Sequence, residues 1–178
     1  MALKPTIYKA KIALTDLDRE VYDNVTLTVA CHPSETLERM MVRIMAYCLN
    51  AQEGLELCKG LSDTDEADLW ARSLDGAMSV WIDVGEPTLE RVKKVSRLAP
   101  DVRVYSFNSK APTWWDLASP ELKKLPVRVF RFDWAGVQAL AKTVERTMDI
   151  AVTVSEGSLF VSTAKGDCEL QLECLQEA

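Results

Sequence analysis

Five residues stand out for what their types and spacing could do: Asp68 in DTDEAD, Asp83 closing the run SVWIDVG, Glu38 in HPSETLERM, and Lys93 and Lys94 in ERVKK. Three carboxylates offer the hard oxygen ligands that Mg2+ or Mn2+ takes, and an ammonium beside them can stabilise charge on a phosphate oxygen. Asp75-Gly76 is a two-residue hairpin signal that sets Leu74 opposite Ala77 and, carried back along both strands, Asp68 opposite Asp83. Like charges so placed repel unless a cation relieves them, so replacing one is expected to leave the melt unchanged or raise it. Asp83 is the sharper candidate, because a charge ending an apolar strand is costly without a partner.

Each residue also has a plain structural reading. Asp83 could cap its strand, and Asp68 could be a solvated loop residue, with Asp65 and Glu66 as alternative choices for the first acid. Glu38 lies at the margin of an apolar stripe, beside Met41, Val42 and Met45, and could pair with Arg39, Arg43 or a lysine. Lys93 and Lys94 could be surface lysines, Lys93 lying nearer the apolar side of its helix.

These residues sit in a chain of 178 residues with a net charge of −6, which argues against non-specific nucleic-acid binding by the whole molecule. Arg91 to Arg131 is the exception, with ten Lys or Arg against three Asp or Glu, a local +7 that leaves −13 elsewhere. Basic walls around an acidic metal site are the functional reading of that division, and a solvated helix face the plain one. A single histidine, His32, disfavours HExxH and multi-histidine sites, and the glycines spell neither GxGxxG nor GxxxxGK[ST]. Five cysteines without a CxxC pair, and no secretory or transit signal, set the expectation of reduced thiols in the cytoplasm.

The elements that must position the candidates read as follows. Thr6–Asp16 and Val21–Cys31 form a hairpin, and a helix capped by Ser34 runs through Leu49 with Glu35 in its first turn. Glu53 to Asp65 is a connection. Strands Asp68–Ser73 and Ala77–Val84 flank the Asp-Gly turn, and a helix starts with Pro87 at its first position and ends at Pro100. Val102–Phe107 and Pro126–Phe132 are strands separated by a short helix holding Trp114-Trp115. A helix from Trp134 to Thr147, capped by Asp133, leads to strands Ile150–Val154, Leu159–Thr163 and Glu169–Leu175. Trp81, Trp114, Trp115 and Trp134 read as core anchors. The whole predicts one domain, residues 1–178, with a mixed sheet flanked by helices, α/β or α+β.

MALKPTIYKAKI, HPSETLERMMVR, DEADLW, WIDVGEPTLERVKK and the later WW pair together resemble the YaeQ family of small bacterial proteins over essentially the whole chain. The resemblance implies a variant of the PD-(D/E)xK, restriction-endonuclease-like fold, with an αβββαβ core to which the N-terminal hairpin and C-terminal strands are added. It further implies Glu38, Asp68 and Asp83 as ligands for Mg2+ or Mn2+, with Asp83 also catalytic. Gly85 stands where the family of nucleases has its lysine, and Lys94, with Lys93 second, is the natural replacement. The implied activity is metal-dependent phosphodiester hydrolysis on nucleic acid. The alternative is a non-catalytic nucleic-acid- or protein-binding module on the same scaffold.

Overall fold

Alternating burial along Thr6–Asp16 (β1) and Val21–Cys31 (β2) makes a long antiparallel hairpin, with the boundaries expected from sequence. The computed structural model describes residues 4–178, apart from the side chain of residue 62. Helix α1 (Leu37–Asn50) follows, capped by Thr36, whose hydroxyl accepts from the Arg39 N–H. The expected Ser34 cap is displaced because His32 to Glu35 forms a turn of its own, with the Glu35 N–H on the His32 carbonyl. Glu35 therefore precedes the helix and is buried.

The connection from Glu53 contains a three-residue strand, Leu55–Leu57 (β3), and a 3-10 turn at Gly60–Ser62. Strands Leu69–Arg72 (β4) and Met78–Val84 (β5) pair antiparallel, with Leu69 opposite Ile82. The turn is one residue longer than expected. Ser73 faces Ala77 across Leu74-Asp75-Gly76, with Gly76 at φ +87, and a bulge near Ala71 and Arg72 absorbs the extra residue. The two departures cancel, so Leu69 faces Ile82 as expected, but the ladder slips again at Asp68, whose N–H bonds to the Ile82 carbonyl, so Asp68 is not set directly opposite Asp83.

Two parallel crossovers build the centre of the sheet. Helix α2 (Leu89–Val95) joins β5 to β6 (Asp101–Ser106), and α3 (Ala111–Leu122) joins β6 to β7 (Val127–Phe132). Helix α2 is capped by Thr88 and stops well short of Pro100, since the chain from Ser96 tightens into turns. Helix α4 (Trp134–Ala141), capped by Asp133, is also shorter than expected, because Thr147 already belongs to β8 (Thr147–Ser155). Strands β9 (Ser158–Thr163) and β10 (Gly166–Gln176) complete one ten-stranded sheet, ordered β2-β1-β8-β9-β10-β7-β6-β5-β4-β3. The mixed α+β expectation holds. The terminal strands are integral to the sheet rather than additions, since β8 lies parallel to β1 and β10 pairs with β7.

The sheet curls around α1 into a nearly closed barrel. Met40, Met41, Val42, Arg43, Ile44, Met45, Ala46 and Cys48 are all wholly buried, so the helix is enclosed rather than laid on a surface. Arg43 crosses the seam between the two edge strands, donating from Nη2 to the Ala30 carbonyl of β2 at 2.8 Å and from Nη1 to the Cys58 carbonyl just after β3 at 3.3 Å. Arg19 closes the other end of α1 by donating to the Cys48 and Ala51 carbonyls, two acceptors that the helix leaves open. Helices α2 and α3 cover the outer face of β5 to β7, over a second core of Trp81, Val92, Val95, Val104, Leu122 and Val129. Cys31 and Cys48 are buried, Cys58 and Cys168 half-buried, and Cys174 is exposed. Among the described residues no helix is long and apolar enough to cross a membrane.

Candidate functional site

Parallel strands β5 and β6 end side by side at Val84 and Ser106, and the chain leaves both toward helices on the outer face. Ligands in α/β sheets gather at such carboxyl ends. Here a cavity of about 410 Å3 opens, with Val84, Gly85, Glu86, Phe107 and Asn108 on one side and the Gly60–Glu66 segment on the other. Asp68, Asp83, Arg39 and Arg91 form its floor.

Strand alternation sends Ile82 and Val84 inward, and Trp81 and Asp83 outward beneath α2. Asp83 is 2% exposed and accepts on both oxygens. Arg91 donates from Nε to Oδ2 at 2.8 Å and from Nη2 to Oδ1 at 3.1 Å, and Trp81 Nε1 donates to Oδ1 at 3.1 Å. Burial pushes the Asp83 carboxyl above its ordinary value, the Arg91 pair opposes this, and the charge of Asp68 adds to it. Asp68 is buried just before β4 and is met from the inner side. Arg39 Nη2 donates to its Oδ1 at 2.7 Å, and the Val84 N–H to its Oδ2 at 2.8 Å. Glu86 is half-buried, accepts from the Phe107 N–H at 3.2 Å, and has its carboxyl raised by burial.

The structure thus brings Asp68 and Asp83 together and leaves the other candidates apart. Glu38 faces α4 in a separate groove shared with Gln138 and Lys142, about 100° around α1 from Arg39, the residue that reaches the strand ends. Lys93 and Lys94 are exposed on α2 and do not line the cavity, whereas Arg91, one turn earlier, does. Asp65 is exposed, and Glu66 lines the cavity wall and gives its carbonyl to Arg91.

The residue that sequence reasoning missed is Glu35. Its wholly buried side chain accepts from Arg39 Nη1 at 2.5 Å, Arg43 Nε at 2.9 Å and Arg43 Nη2 at 2.6 Å. A continuous chain of charge-assisted bonds therefore runs from Arg43 through Glu35 and Arg39 to Asp68. The signal for it was present: positions 35, 39 and 43 recur at four-residue spacing, which sets Arg39 and Arg43 on one face of α1 in line with Glu35 just before its cap.

A family model for YaeQ protein matches residues 1–172, nearly the whole length over which this geometry is built. The chain belongs to the YaeQ family. The YaeQ proteins of Salmonella typhi and Escherichia coli K12 are 37% and 35% identical to it, each match covering 99% of both chains. Both relatives bear the name uncharacterized protein YaeQ. The crystal structure of YaeQ from Xanthomonas axonopodis pv. citri superposes with a TM-score of 0.94 at 34% identity, covering 98% of this chain and 99% of that one. YaeQ from Pseudomonas syringae gives 0.92 at 39% identity, covering 98% and 97%. The barrel-like sheet around α1 is thus the YaeQ fold.

Proposed function

We propose that this YaeQ-family chain is a non-catalytic module that binds the phosphodiester backbone of a nucleic acid. The observation that carries the reading is the outer helical layer. Lys93, Lys94 and Arg97 on or just after α2, and Lys110 and Lys123 at the two ends of α3, are all exposed and make no ion pair among the described residues. Unpaired cations on one layer are the electrostatic footprint of a polyanion partner, and these five are half of the ten basic residues in the +7 stretch of an otherwise acidic chain. The scaffold is consistent with a PD-(D/E)xK variant, since α1, β3, β4, β5, α2 and β6 follow in the expected αβββαβ order, with β3 to β5 antiparallel and β6 parallel to β5.

A second reading, Mg2+- or Mn2+-dependent phosphodiester hydrolysis, is favoured by Asp68 and Asp83 lying together on the floor of the strand-end cavity. The donor set has the right chemistry but does not fit a metal as arranged: all four carboxylate oxygens already accept hydrogen bonds, and Glu38 points elsewhere. No group of three or more metal-ligating side chains is assembled among the described residues.

Fluorescence anisotropy with labelled single- and double-stranded DNA and RNA, titrated over a salt series, tests the proposal. The expected result is salt-dependent binding whose log K against log salt slope falls by about two units in Lys93→Glu/Lys94→Glu, with Asp83→Asn still binding. Absence of binding at low salt overturns it. Cleavage in Mn2+ that Asp83→Asn abolishes supports hydrolysis instead.

A further inference from the structure

We infer that the guanidinium groups of Arg39 and Arg91 are the resident cations of the strand-end pocket, and that they close it to divalent metal. The inference deepens the non-catalytic reading of that site. Each aspartate has its own arginine: Arg91 grips both oxygens of Asp83, while Arg39 holds one oxygen of Asp68 and the Val84 N–H the other. A planar guanidinium gripping a carboxylate by two donors satisfies both its charge and its lone pairs.

Neither arginine is free to swing away. Arg91 also donates from Nη1 to the Thr64 carbonyl at 2.7 Å and from Nη2 to the Glu66 carbonyl at 2.9 Å, which ties it to the opposite wall of the cavity. Arg39 is anchored from behind by Glu35, whose other partner is the wholly buried Arg43. Moving Arg39 would strand part of a buried charge network, and moving Arg91 would leave the buried Asp83 carboxylate without its cation. An incoming divalent ion would meet two fixed positive charges on the carboxylates it needs. With either arginine gone the balance reverses, because Asp63, Glu66 and Glu86 line the same cavity.

Calorimetric titration of MnCl2 into the full chain, with no nucleic acid present, tests the inference independently of the anisotropy experiment. The wild type is expected to show no saturable uptake into the millimolar range. Arg91→Met is expected to bind Mn2+ at least about tenfold more tightly, as removal of a neighbouring positive charge requires, and Arg91→Met/Asp83→Asn to lose that binding. Wild-type binding as tight as that of Arg91→Met, and lost in Asp83→Asn, overturns the inference and shows that the arginines yield. A cooperatively melting Arg91→Met without Mn2+ affinity also overturns it. Should that variant fail to fold, Arg39→Met, which releases Asp68 alone, is read by the same criteria. Failure of this inference leaves the α2 and α3 surface untouched, so nucleic-acid binding by wild type and Lys93→Glu/Lys94→Glu distinguishes it from failure of the module reading.

Discussion

Replacing Glu35 by Gln, with Glu38→Gln as the neighbouring control, tests the buried network directly. The side chains of Glu35 and Arg43 are both wholly inaccessible, and three guanidinium bonds converge on the two Glu35 oxygens. An amide keeps the shape but removes the charge and turns one acceptor into a donor that faces guanidinium hydrogens. Breaking a buried pair from one side costs about 3–5 kcal/mol, because the remaining charge is left uncompensated. For a chain of this length each kcal/mol lowers Tm by about 2–4 °C, so Glu35→Gln is expected to melt roughly 6–20 °C below wild type. Glu38 makes no ion pair among the described residues and is half-exposed, so its replacement is expected to change stability by less than about 0.5 kcal/mol. Differential scanning calorimetry and urea unfolding measure both. Equal shifts for the two variants, or a loss below about 1 kcal/mol for Glu35→Gln, would refute the reasoning.

Three further outcomes follow from the same geometry. Asp83→Asn is expected to destabilise, but by less than Glu35→Gln, because Arg91 loses its partner while remaining in contact with solvent and the burial that raises the Asp83 carboxyl offsets part of what the pair contributes; urea unfolding of both variants checks this. Gly60→Ala is expected to cost more than about 1 kcal/mol, since Gly60 has φ +61 and a Cβ there would lie 2.9 Å from the Arg43 guanidinium carbon; its Tm decides. Glu86→Gln concerns a carboxyl raised by burial, whose contribution to stability is present below the unfolded value and lost as pH rises through the folded one. Its Tm is therefore expected to exceed that of wild type at neutral pH and to converge with it in acid, which a pH series of melts would show.

Much of this fold could be read from residue pattern where local rules act alone. The hairpin β1–β2 alternates cleanly, and Thr6, Asp16, Val21 and Cys31 bound it as expected. Helix ends were less legible because side-chain competition decides them: Thr36 rather than Ser34 caps α1 once the His32 ring and carbonyl have taken the Ser34 and Glu35 N–H groups. The proximity of Asp68 and Asp83 was legible but their alignment was not, because the turn and the bulge each departed by one residue and the ladder slips again at Asp68. What sequence could not give was the partner of each carboxylate. Arg39 reaches Asp68 across 29 positions, and whether a surface-looking arginine or a lysine one turn later enters the pocket depends on where α2 begins. The enclosure of α1 was equally hidden, since nothing local in the sequence shows that the polar side chains of Arg43 and Asn50 are buried until the sheet closes over them.

That enclosure has a consequence for biogenesis. The N-terminal strand β1 finds its parallel neighbour only in β8, so the wall around α1 is incomplete until residues 147–155 have emerged from the ribosome. At 5–20 residues per second, the nascent chain carries Met40, Met41, Ile44 and Met45 without their final cover for roughly 5–20 s after α1 is made. Contacts this distant in sequence also slow closure once synthesis ends. A polypeptide truncated before β8 would therefore expose the methionine-rich face of α1 with nothing to wrap it, the kind of apolar surface that drives an incomplete chain to aggregate.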